Sequence, residues 1–326
     1  MQRKHLLHGA LAGLLALALA PAPAWAQAWP TAKPIRLIVN FPAGGSPDVI
    51  ARAVAAPLAA ALGQQVVVDN RSGAGGIIGN DLAAKAPADG YTFLLSSGSG
   101  MAIVPLITAK MPYDAAKDLV PVAAGARLEL FLVARTESPF KTYAELVQHA
   151  KRNPGKLSYG SPGNGTSPHI GGEMLKAQAG IFTVHIPYRG AGAALLDLLG
   201  GNVDYVLDPG LAFSHIKTGK LRLLAVGSAK RSFMFPDTPT LAELGLAGYD
   251  TGTTHGFWAP AGTPAPVIER LNREINRALT LPAVAEAIRG LGAEPTPMTP
   301  AQFGAVIQAD SRRYAEIIKE RKISGE

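Results

Sequence analysis

Two short segments contain the residue types best suited to bind a ligand, and their sequences resemble each other. One spans residues 41–48 (Phe-Pro-Ala-Gly-Gly-Ser-Pro-Asp), and the other spans residues 161–169 (Ser-Pro-Gly-Asn-Gly-Thr-Ser-Pro-His). Glycine leaves backbone N–H groups accessible, and serine followed by proline is a preferred start for a helix. Because a helix N-terminus carries unpaired N–H donors and a partial positive charge, each segment predicts a site for a carboxylate or a phosphate.

Both turns need a strand before them and a helix after them, and the hydrophobic pattern predicts these elements. Strands over 33–41, 65–69 and 91–96, with helices over 47–62 and 73–86, give the βαβαβ order of a parallel sheet covered by helices. A further strand is predicted over 119–123. A second series of strands and helices covers 130–226 and includes a helix over 167–179 and a strand over 221–226. A strand over 256–259 and three amphipathic helices, with no strand between them, then close the chain.

The simplest arrangement is two α/β domains, with the chain crossing from one to the other twice. Domain 1 comprises residues 27–127 and 251–326, and domain 2 comprises residues 128–250. One glycine-rich turn falls in each domain, and ligands often bind between domains. We therefore hypothesise that the two helix N-termini face each other across a cleft and share an anionic ligand. The alternative is a pair of ordinary, well-capped βα turns.

The first 26 residues predict a cleaved secretory signal. Arg3 and Lys4 precede an apolar run over 11–20, and Ala24-Trp25-Ala26 gives the small-x-small pattern of a cleavage site. The run is shorter than the roughly 20 residues of a membrane span, which argues against a retained anchor. Cleavage removes two of the 31 basic side chains and no acidic ones, which leaves a net charge of +5 on a protein not embedded in the membrane.

Composition and failed motifs exclude several classes of function. The chain is 48% hydrophobic and 17% charged, so it can bury a core, and it contains no cysteine for disulfides or thiolate metal sites. Residues 73–79 lack the glycine spacing of a dinucleotide site, and residues 160–167 lack the lysine of a P-loop. The histidines form no metal-ligand pair, and no basic run with interleaved aromatic residues suggests nucleic acid. The sequence therefore predicts no catalytic residue, no metal and no cofactor.

Three further positions lie at strand ends, each with two interpretations. Asp208 would meet a ligand ammonium or ring N–H, or else simply form an Asp-Pro-Gly turn. Arg189 offers positive charge to the cleft, or is an exposed arginine. Ser97, between Ser96 and Ser99, supplies hydroxyl donors, or belongs to a solvated loop.

Across essentially the whole mature chain, the sequence resembles the substrate-binding proteins of tripartite tricarboxylate transporters, the Bug family of periplasmic receptors. The matching segments include residues 33–39, 41–45, 73–76, 89–91, 112–114, 154–157, 187–190, 197–204, 219–222 and 259–264. Each segment is weakly specific alone, but their order and number are highly specific. The chain departs from the family pattern at Asn40, where proline is usual, at Arg189, where lysine is usual, and at Thr254, where tryptophan is usual.

The resemblance implies the type II periplasmic binding protein fold, in which two α/β domains joined by two crossings enclose a cleft. It implies a non-catalytic receptor that binds a dicarboxylate, tricarboxylate, amino acid or aromatic acid and passes it to membrane permease subunits. We expect a monomer in the periplasm. The alternatives are a periplasmic enzyme using His169 and Asp208, or a ligand-presenting partner of a sensor kinase.

The residue patterns and the resemblance together give one set of candidate ligand contacts. They are Phe41, Ala43, Gly44, Gly45, Ser46, Asp48, Ser97, Ser161, Gly163, Gly165, Thr166, Ser167, His169, Arg189 and Asp208. Most belong to the two matched turns. The resemblance implies that Asp208 lies where some family members contact the variable end of the ligand.

Overall fold

A βαβαβ segment positions the first of the two predicted turns. The computed structural model describes residues 29–321 and Ile323, so the predicted signal segment and its cleavage site lie outside the described residues. The elements are β1 (Ile35–Val39), α1 (Ser46–Leu62), β2 (Val66–Asn70), α2 (Ile77–Ala84) and β3 (Thr92–Ser96). As the alternating pattern predicts, β1 pairs in parallel with both β2 and β3.

Two short helices follow β3 where a solvated serine- and glycine-rich loop was one expectation. They are α3 (Gly98–Ala102) and α4 (Val104–Ile107). Ser97 caps α3, because its hydroxyl accepts a hydrogen bond from the Gly100 N–H at 3.2 Å. Residues 97–102 are all buried, so this segment is packed rather than solvated. The next strand, β4 (Leu119–Leu128), runs five residues beyond the predicted 119–123.

The middle of the chain forms a second sheet, which carries the second predicted turn. Its elements are β5 (Phe131–Arg135), α5 (Tyr143–Arg152), β6 (Ser158–Ser161), α6 (Ser167–Ala179), β7 (Val184–Pro187), α7 (Ala191–Gly200), β8 (Tyr205–Asp208), α8 (Phe213–Lys217) and β9 (Leu221–Val226). The strand order is β7-β6-β8-β5-β9. β6 pairs in parallel with β7 and β8, so β6 and β7 both end at the same edge, where helices α6 and α7 begin.

The chain then returns to the first sheet. The elements are β10 (Thr253–Pro260), α9 (Ala265–Leu279), α10 (Pro282–Arg289), β11 (Glu294–Pro295) and α11 (Pro300–Arg321). The first sheet has the order β11-β4-β10-β3-β1-β2. The prediction that no strand separates the last helices is wrong, because β11 pairs with β4. A two-residue strand is too short to leave an alternating pattern. In residues 29–321 no helix is long and apolar enough to cross a bilayer.

Alternating side chains of β1 enter the cores on both faces of the first sheet. Leu37 and Val39 belong to a buried cluster that includes Leu271 of α9. Ile38 belongs to a different cluster, which also contains Phe303 of α11. With both faces covered, β1 is held firmly, and so is the turn that follows it.

The two connections between the sheets lie side by side. The Gly227 N–H donates to the Leu130 carbonyl at 2.7 Å, and the Thr251 N–H donates to the Gly227 carbonyl at 2.9 Å. From α11, Arg313 donates to the carbonyls of Asp250 and Gly252. The connections are therefore hydrogen-bonded to each other and to the C-terminal helix.

Candidate functional site

A cavity of about 350 Å³ lies between elements of the two sheets. The first sheet's elements contribute Phe41, Pro42, Ala43, Gly45, Ser46, Pro47, Ser97, Ser99 and His255. The second sheet's elements contribute Pro162, Thr166, Ser167, Pro168, Arg189, Gly190, Ala191, Gly192, Ala193, Leu196 and Pro209. Most of these residues follow the carboxyl ends of β1, β3, β6, β7 and β8, which is the usual position of ligand sites in α/β sheets.

Three helix N-termini line this cavity. α1 and α6 begin at the two predicted turns, and α7 begins at Ala191. The first N–H groups of a helix have no intrahelical partner and carry partial positive charge. The N-terminus of α7 was not among the predicted ligand-binding turns. Arg189, between β7 and α7, was the one candidate contact that pointed to this corner. The cavity wall is therefore rich in neutral donors suited to an anion.

The serines that were expected to cap the two helices are not the N-caps, which lie one residue earlier in both turns. Gly45 is the N-cap of α1 and Thr166 is the N-cap of α6, so Ser46 and Ser167 are the first helical residues. Neither N-cap makes a side-chain capping bond. In each turn, a glycine N–H instead donates to the side chain of the residue four positions later. This bond holds the turn in place of a serine cap.

In the first turn this acceptor is Asp48. The Gly44 N–H donates to Asp48 Oδ2 at 2.9 Å, and Asn70 Nδ2 donates to Oδ1 at 2.9 Å. Arg52 Nε also donates to this carboxylate. Burial raises the pKa of Asp48, but the hydrogen bonds from Arg52, Gly44 and Asn70 outweigh it and hold the pKa below its ordinary value. Asp48 is therefore an ionised brace behind the turn.

In the second turn the acceptor is His169. The Gly165 N–H donates to His169 Nδ1 at 3.2 Å, and the His169 ring stacks on His185 with centroids 4.2 Å apart. His185 Nε2 lies 2.6 Å from Ser161 Oγ. Burial lowers the pKa of both imidazoles, that of His185 to about 3. Ser161, Gly165 and His169 therefore support the turn from behind as neutral groups.

His255, which was not among the predicted ligand contacts, lies at the cavity. It belongs to β10 and is buried, with its Nε2 atom 3.3 Å from Ser46 Oγ. The Gly98 N–H donates to His255 Nδ1 at 3.1 Å. Burial lowers the pKa of His255 to about 3, so the ring is neutral at pH 7. No local motif marks this residue, because it meets Ser46 only through the pairing of distant strands.

Asp208 forms an Asp-Pro-Gly turn, which was the second of its two interpretations. Its Oδ2 atom accepts hydrogen bonds from the N–H groups of Gly210 and Ala212, at 2.8 and 2.9 Å. Burial raises the pKa of Asp208 to about 6. The neighbouring Pro209, rather than Asp208, lines the cavity.

Ser97 and Arg189 do line the cavity. The Ser97 N–H donates to Asn40 Oδ1 at 3.0 Å, and Asn40 Nδ2 donates to Ser96 Oγ at 3.0 Å. Asn40, a departure from the family pattern, thus ties the end of β1 to the end of β3. Arg189 is exposed, and within the described residues its guanidinium has no ion pair.

The structure divides the predicted residues into three groups. Those that line the cavity are Phe41, Ala43, Gly45, Ser46, Ser97, Thr166, Ser167 and Arg189. Those outside its lining are Gly44, Asp48, Ser161, Gly165, His169 and Asp208. Gly163 lines a second cavity of about 340 Å³, which shares Phe41, Pro42, Pro162, Arg189 and Gly190 with the first.

Loops that follow strands of the first sheet and loops that follow strands of the second sheet touch beside the two cavities. A Cβ atom on Gly75 would lie 2.7 Å from the Asn164 carbonyl oxygen, and one on Gly190 would lie 2.9 Å from Pro42 Cγ. These glycines therefore allow the opposing loops to approach closely. Among residues 29–321, no aspartate or glutamate lines either cavity, and no group of three acidic or histidine side chains is arranged to hold a metal ion.

Comparisons with known proteins agree with this arrangement. Residues 50–323 match the family described as tripartite tricarboxylate transporter family receptor. The chain is 41% identical to protein BugT of Bordetella pertussis over 291 residues, which is 89% of each chain. An R. palustris protein solved with adipate is 34% identical, with a TM-score of 0.87 over 91% of this chain and 99% of that one. MatC of Rhodopseudomonas palustris, solved with bound malate, is 29% identical, with a TM-score of 0.84 over 88% and 99% of the two chains.

Proposed function

The chain belongs to the tripartite tricarboxylate transporter receptor family, and from that premise we propose that it is a periplasmic receptor for a small carboxylate. The proposed ligand binds in the 350 Å³ cavity and is then delivered to the membrane subunits of a transporter. The related proteins solved with adipate and malate support a carboxylate as the ligand.

One observation carries the proposal: three helix N-termini line one cavity, and no acidic side chain among the described residues lines it. A carboxylate gains hydrogen bonds from the unpaired N–H groups and a favourable interaction with three helix dipoles. Arg189 adds a full positive charge at the rim. A cation would be repelled by the partial positive charge of the three helix N-termini and by Arg189.

We propose that the receptor acts by binding alone. The enzyme alternative relied on His169 and Asp208, and neither side chain lines the cavity. His169 Nδ1 accepts from Gly165, and the Asp208 carboxylate accepts from Gly210 and Ala212. Both groups are engaged in holding turns, which leaves neither placed to act as a base on the ligand.

We further propose that the two sheets belong to two domains that close on the ligand. The proposed division places residues 27–127 and 251–326 in one domain and 128–250 in the other. It is supported by the two adjacent connections, after Leu128 and before Thr253. Adjacent connections permit a hinge rotation with few broken contacts.

The test uses the mature protein in a thermal-shift screen against succinate, malate, adipate, citrate and benzoate. A ligand present at 100 times its dissociation constant adds about 2.7 kcal/mol to stability. We expect at least one acid to stabilise the protein, and a parent protein that none of them stabilises would contradict the proposal.

A matched pair of variants then locates the site. Gly192 lines the cavity, and a Cβ atom there meets nothing within 4 Å, so the indole of Gly192→Trp should occupy the cavity and block binding. Leu281→Trp, at an exposed position outside the cavity lining, is the control and should bind normally. Equal binding by both variants would move the ligand to another place.

A further inference from the structure

The cavity contains positive but no negative side-chain charge. Among residues 29–321, Arg189 is the cationic side chain of the lining, and no aspartate or glutamate lines either cavity. Three carboxylates, those of Asp48, Asp197 and Asp208, are adjacent in sequence to lining residues, and each already accepts hydrogen bonds. Asp197 accepts from the Tyr188 hydroxyl and from Asn202 Nδ2. Asp48 accepts from Gly44, Asn70 and Arg52, and Asp208 accepts from Gly210 and Ala212. A ligand cation would therefore find no counter-ion there.

The backbone carbonyls at the three helix starts are also occupied. The Gly45 carbonyl accepts from the Val49 N–H, and the Thr166 carbonyl accepts from the Ile170 N–H, both at 3.0 Å. The Gly190 carbonyl accepts from the Ala194 N–H at 3.5 Å. Because helix carbonyls point toward the C-terminus, these three walls present donors rather than acceptors to the cavity.

The bond between His255 and Ser46 adds one more donor. His255 Nδ1 accepts the Gly98 N–H, so the single proton of the neutral ring lies on Nε2. Nε2–H then donates to Ser46 Oγ, which fixes that oxygen as an acceptor toward the histidine. The Ser46 hydroxyl hydrogen is left to donate elsewhere, and Ser46 lines the cavity.

We propose that the site selects carboxylates that lack an ammonium group, and that His255 is a positioning residue that makes Ser46 a donor to the ligand. This inference rests on the proposed carboxylate receptor and names its ligand class. An ammonium group buried here loses its hydration without gaining a counter-charge. Thr166 Oγ1, which donates to the Gly163 carbonyl at 2.7 Å, keeps lone pairs for a ligand hydroxyl. One neutral oxygen does not compensate an ammonium charge.

Matched pairs of acids test the ligand class by isothermal titration calorimetry. Succinate is compared with aspartate, glutarate with glutamate, and adipate with 2-aminoadipate, so each pair differs only by an ammonium group. We expect the acid without nitrogen to bind at least tenfold more tightly in every pair that binds. An amino acid that binds as tightly as its partner overturns the inference but leaves the receptor function intact. Failure of all six acids overturns the inference, and failure of malate, citrate and benzoate as well overturns the receptor function.

A designed acid at the rim sharpens this test. Leu196 lines the cavity and is exposed, so Leu196→Asp introduces a carboxylate beside the ligand at little structural cost. We expect it to shift the aspartate-to-succinate affinity ratio at least fivefold toward aspartate. Leu196→Asn is the matched control and should leave the ratio within twofold of the parent. Equal ratios in the two variants overturn the charge argument.

The positioning role of His255 has its own variants. Ser46→Ala removes the donor, and His255→Phe removes the group that orients it, so we expect each to weaken carboxylate binding about fivefold. The double variant should bind within twofold of either single variant, because the two residues act as one unit. His255→Gln, which can both accept and donate, should restore at least half of the loss in free energy. Additive effects, or no rescue by glutamine, overturn the role.

Discussion

The turns at residues 41–48 and 161–169 have nearly the same backbone and different chemistry behind it. Gly44 and Gly165 both take a left-handed conformation, with φ of 79° and 75°. The N-caps that follow, Gly45 and Thr166, have φ/ψ of −75°/163° and −73°/155°. In both turns the glycine N–H donates to a side chain four residues later. The shape is therefore shared, and the difference lies in the group that holds it.

The first turn is held by a charge and the second by a neutral ring. Asp48 is ionised and is hydrogen-bonded to Arg52 and Asn70. His169 is uncharged and stacks on His185. An anion brace and an imidazole brace respond to different perturbations. Loss of the Asp48 carboxylate threatens the first turn most, and protonation of His169 threatens the second.

The largest effect is expected for Asp48→Ala. This change leaves the Gly44 N–H without its acceptor, removes one of the two acceptors of Asn70 Nδ2, and removes the carboxylate partner of Arg52. The loss of a buried, multiply hydrogen-bonded carboxylate costs about 3 kcal/mol of unfolding free energy. Urea denaturation at pH 7 measures it, and Asp48→Asn, which keeps one acceptor oxygen, should lose less. A cost below about 1 kcal/mol for the alanine variant would show that the charge brace is dispensable.

Acid should act on the His169 brace of the second turn before it acts on the Asp48 brace of the first. The pKa values of His169 and His185 are lowered from 6.5 by burial, so the unfolded chain binds protons more readily than the native protein. Their contribution to stability is therefore complete above about pH 6.5 and is lost as the pH falls toward the native pKa. For each such histidine the slope reaches about 1.4 kcal/mol per pH unit. The contribution of Asp48, whose pKa is lowered from 3.8, persists above pH 3.8 and is lost as the pH falls below that value.

The measurement is the unfolding free energy of the parent and of His169→Gln from pH 7.5 to pH 5. Glutamine keeps an acceptor for the Gly165 N–H but does not titrate, so the variant should lose less stability than the parent over this range, by at most about 2 kcal/mol. His149→Gln, at a histidine outside the stack, is the control and should follow the parent. Parallel curves for the parent and His169→Gln would show that the second turn does not sense acid.

Local patterns in the sequence predicted both turns and most of the elements around them, because glycine, proline and apolar periodicity act over a few residues. The bounds of α6 and β9 agree with the predicted 167–179 and 221–226. The contacts that support the turns from behind were not predicted, because they join distant segments. Ser46 and His255 are 209 residues apart, and Ser161 and His185 are 24 apart. Asp208 shows the converse. A carboxylate at a strand end is a candidate ligand contact, but its Oδ2 atom here accepts hydrogen bonds from the N–H groups of its own turn.

A smaller effect should separate stability from binding in the two turns. Thr166 donates inward to the Gly163 carbonyl, whereas Ser46 keeps its hydrogen for the cavity. Thr166→Val keeps the side-chain shape and removes one buried hydrogen bond, so it should cost about 1 kcal/mol of stability and change carboxylate affinity little. Ser46→Ala should lower carboxylate affinity and also cost stability, because it leaves the buried His255 Nε2–H without its acceptor. Thermal unfolding and calorimetry on the same preparations give both quantities. Equal effects of the two variants on affinity would contradict this division.

The smallest effect is expected at Arg52, and it limits how much of the first brace is a salt bridge. Arg52 is 55% exposed, whereas the side chain of Asp48 is 4% exposed. Water and salt screen the outer partner, so Arg52→Gln should cost no more than about 0.5 kcal/mol, and less in 0.5 M NaCl. Urea denaturation at two salt concentrations measures this. If the cost instead equals that of Asp48→Ala, the turn depends on the ion pair rather than on the Gly44 and Asn70 hydrogen bonds. A small, salt-sensitive cost assigns the brace to those buried bonds, which makes the first turn a hydrogen-bonded structure like the second.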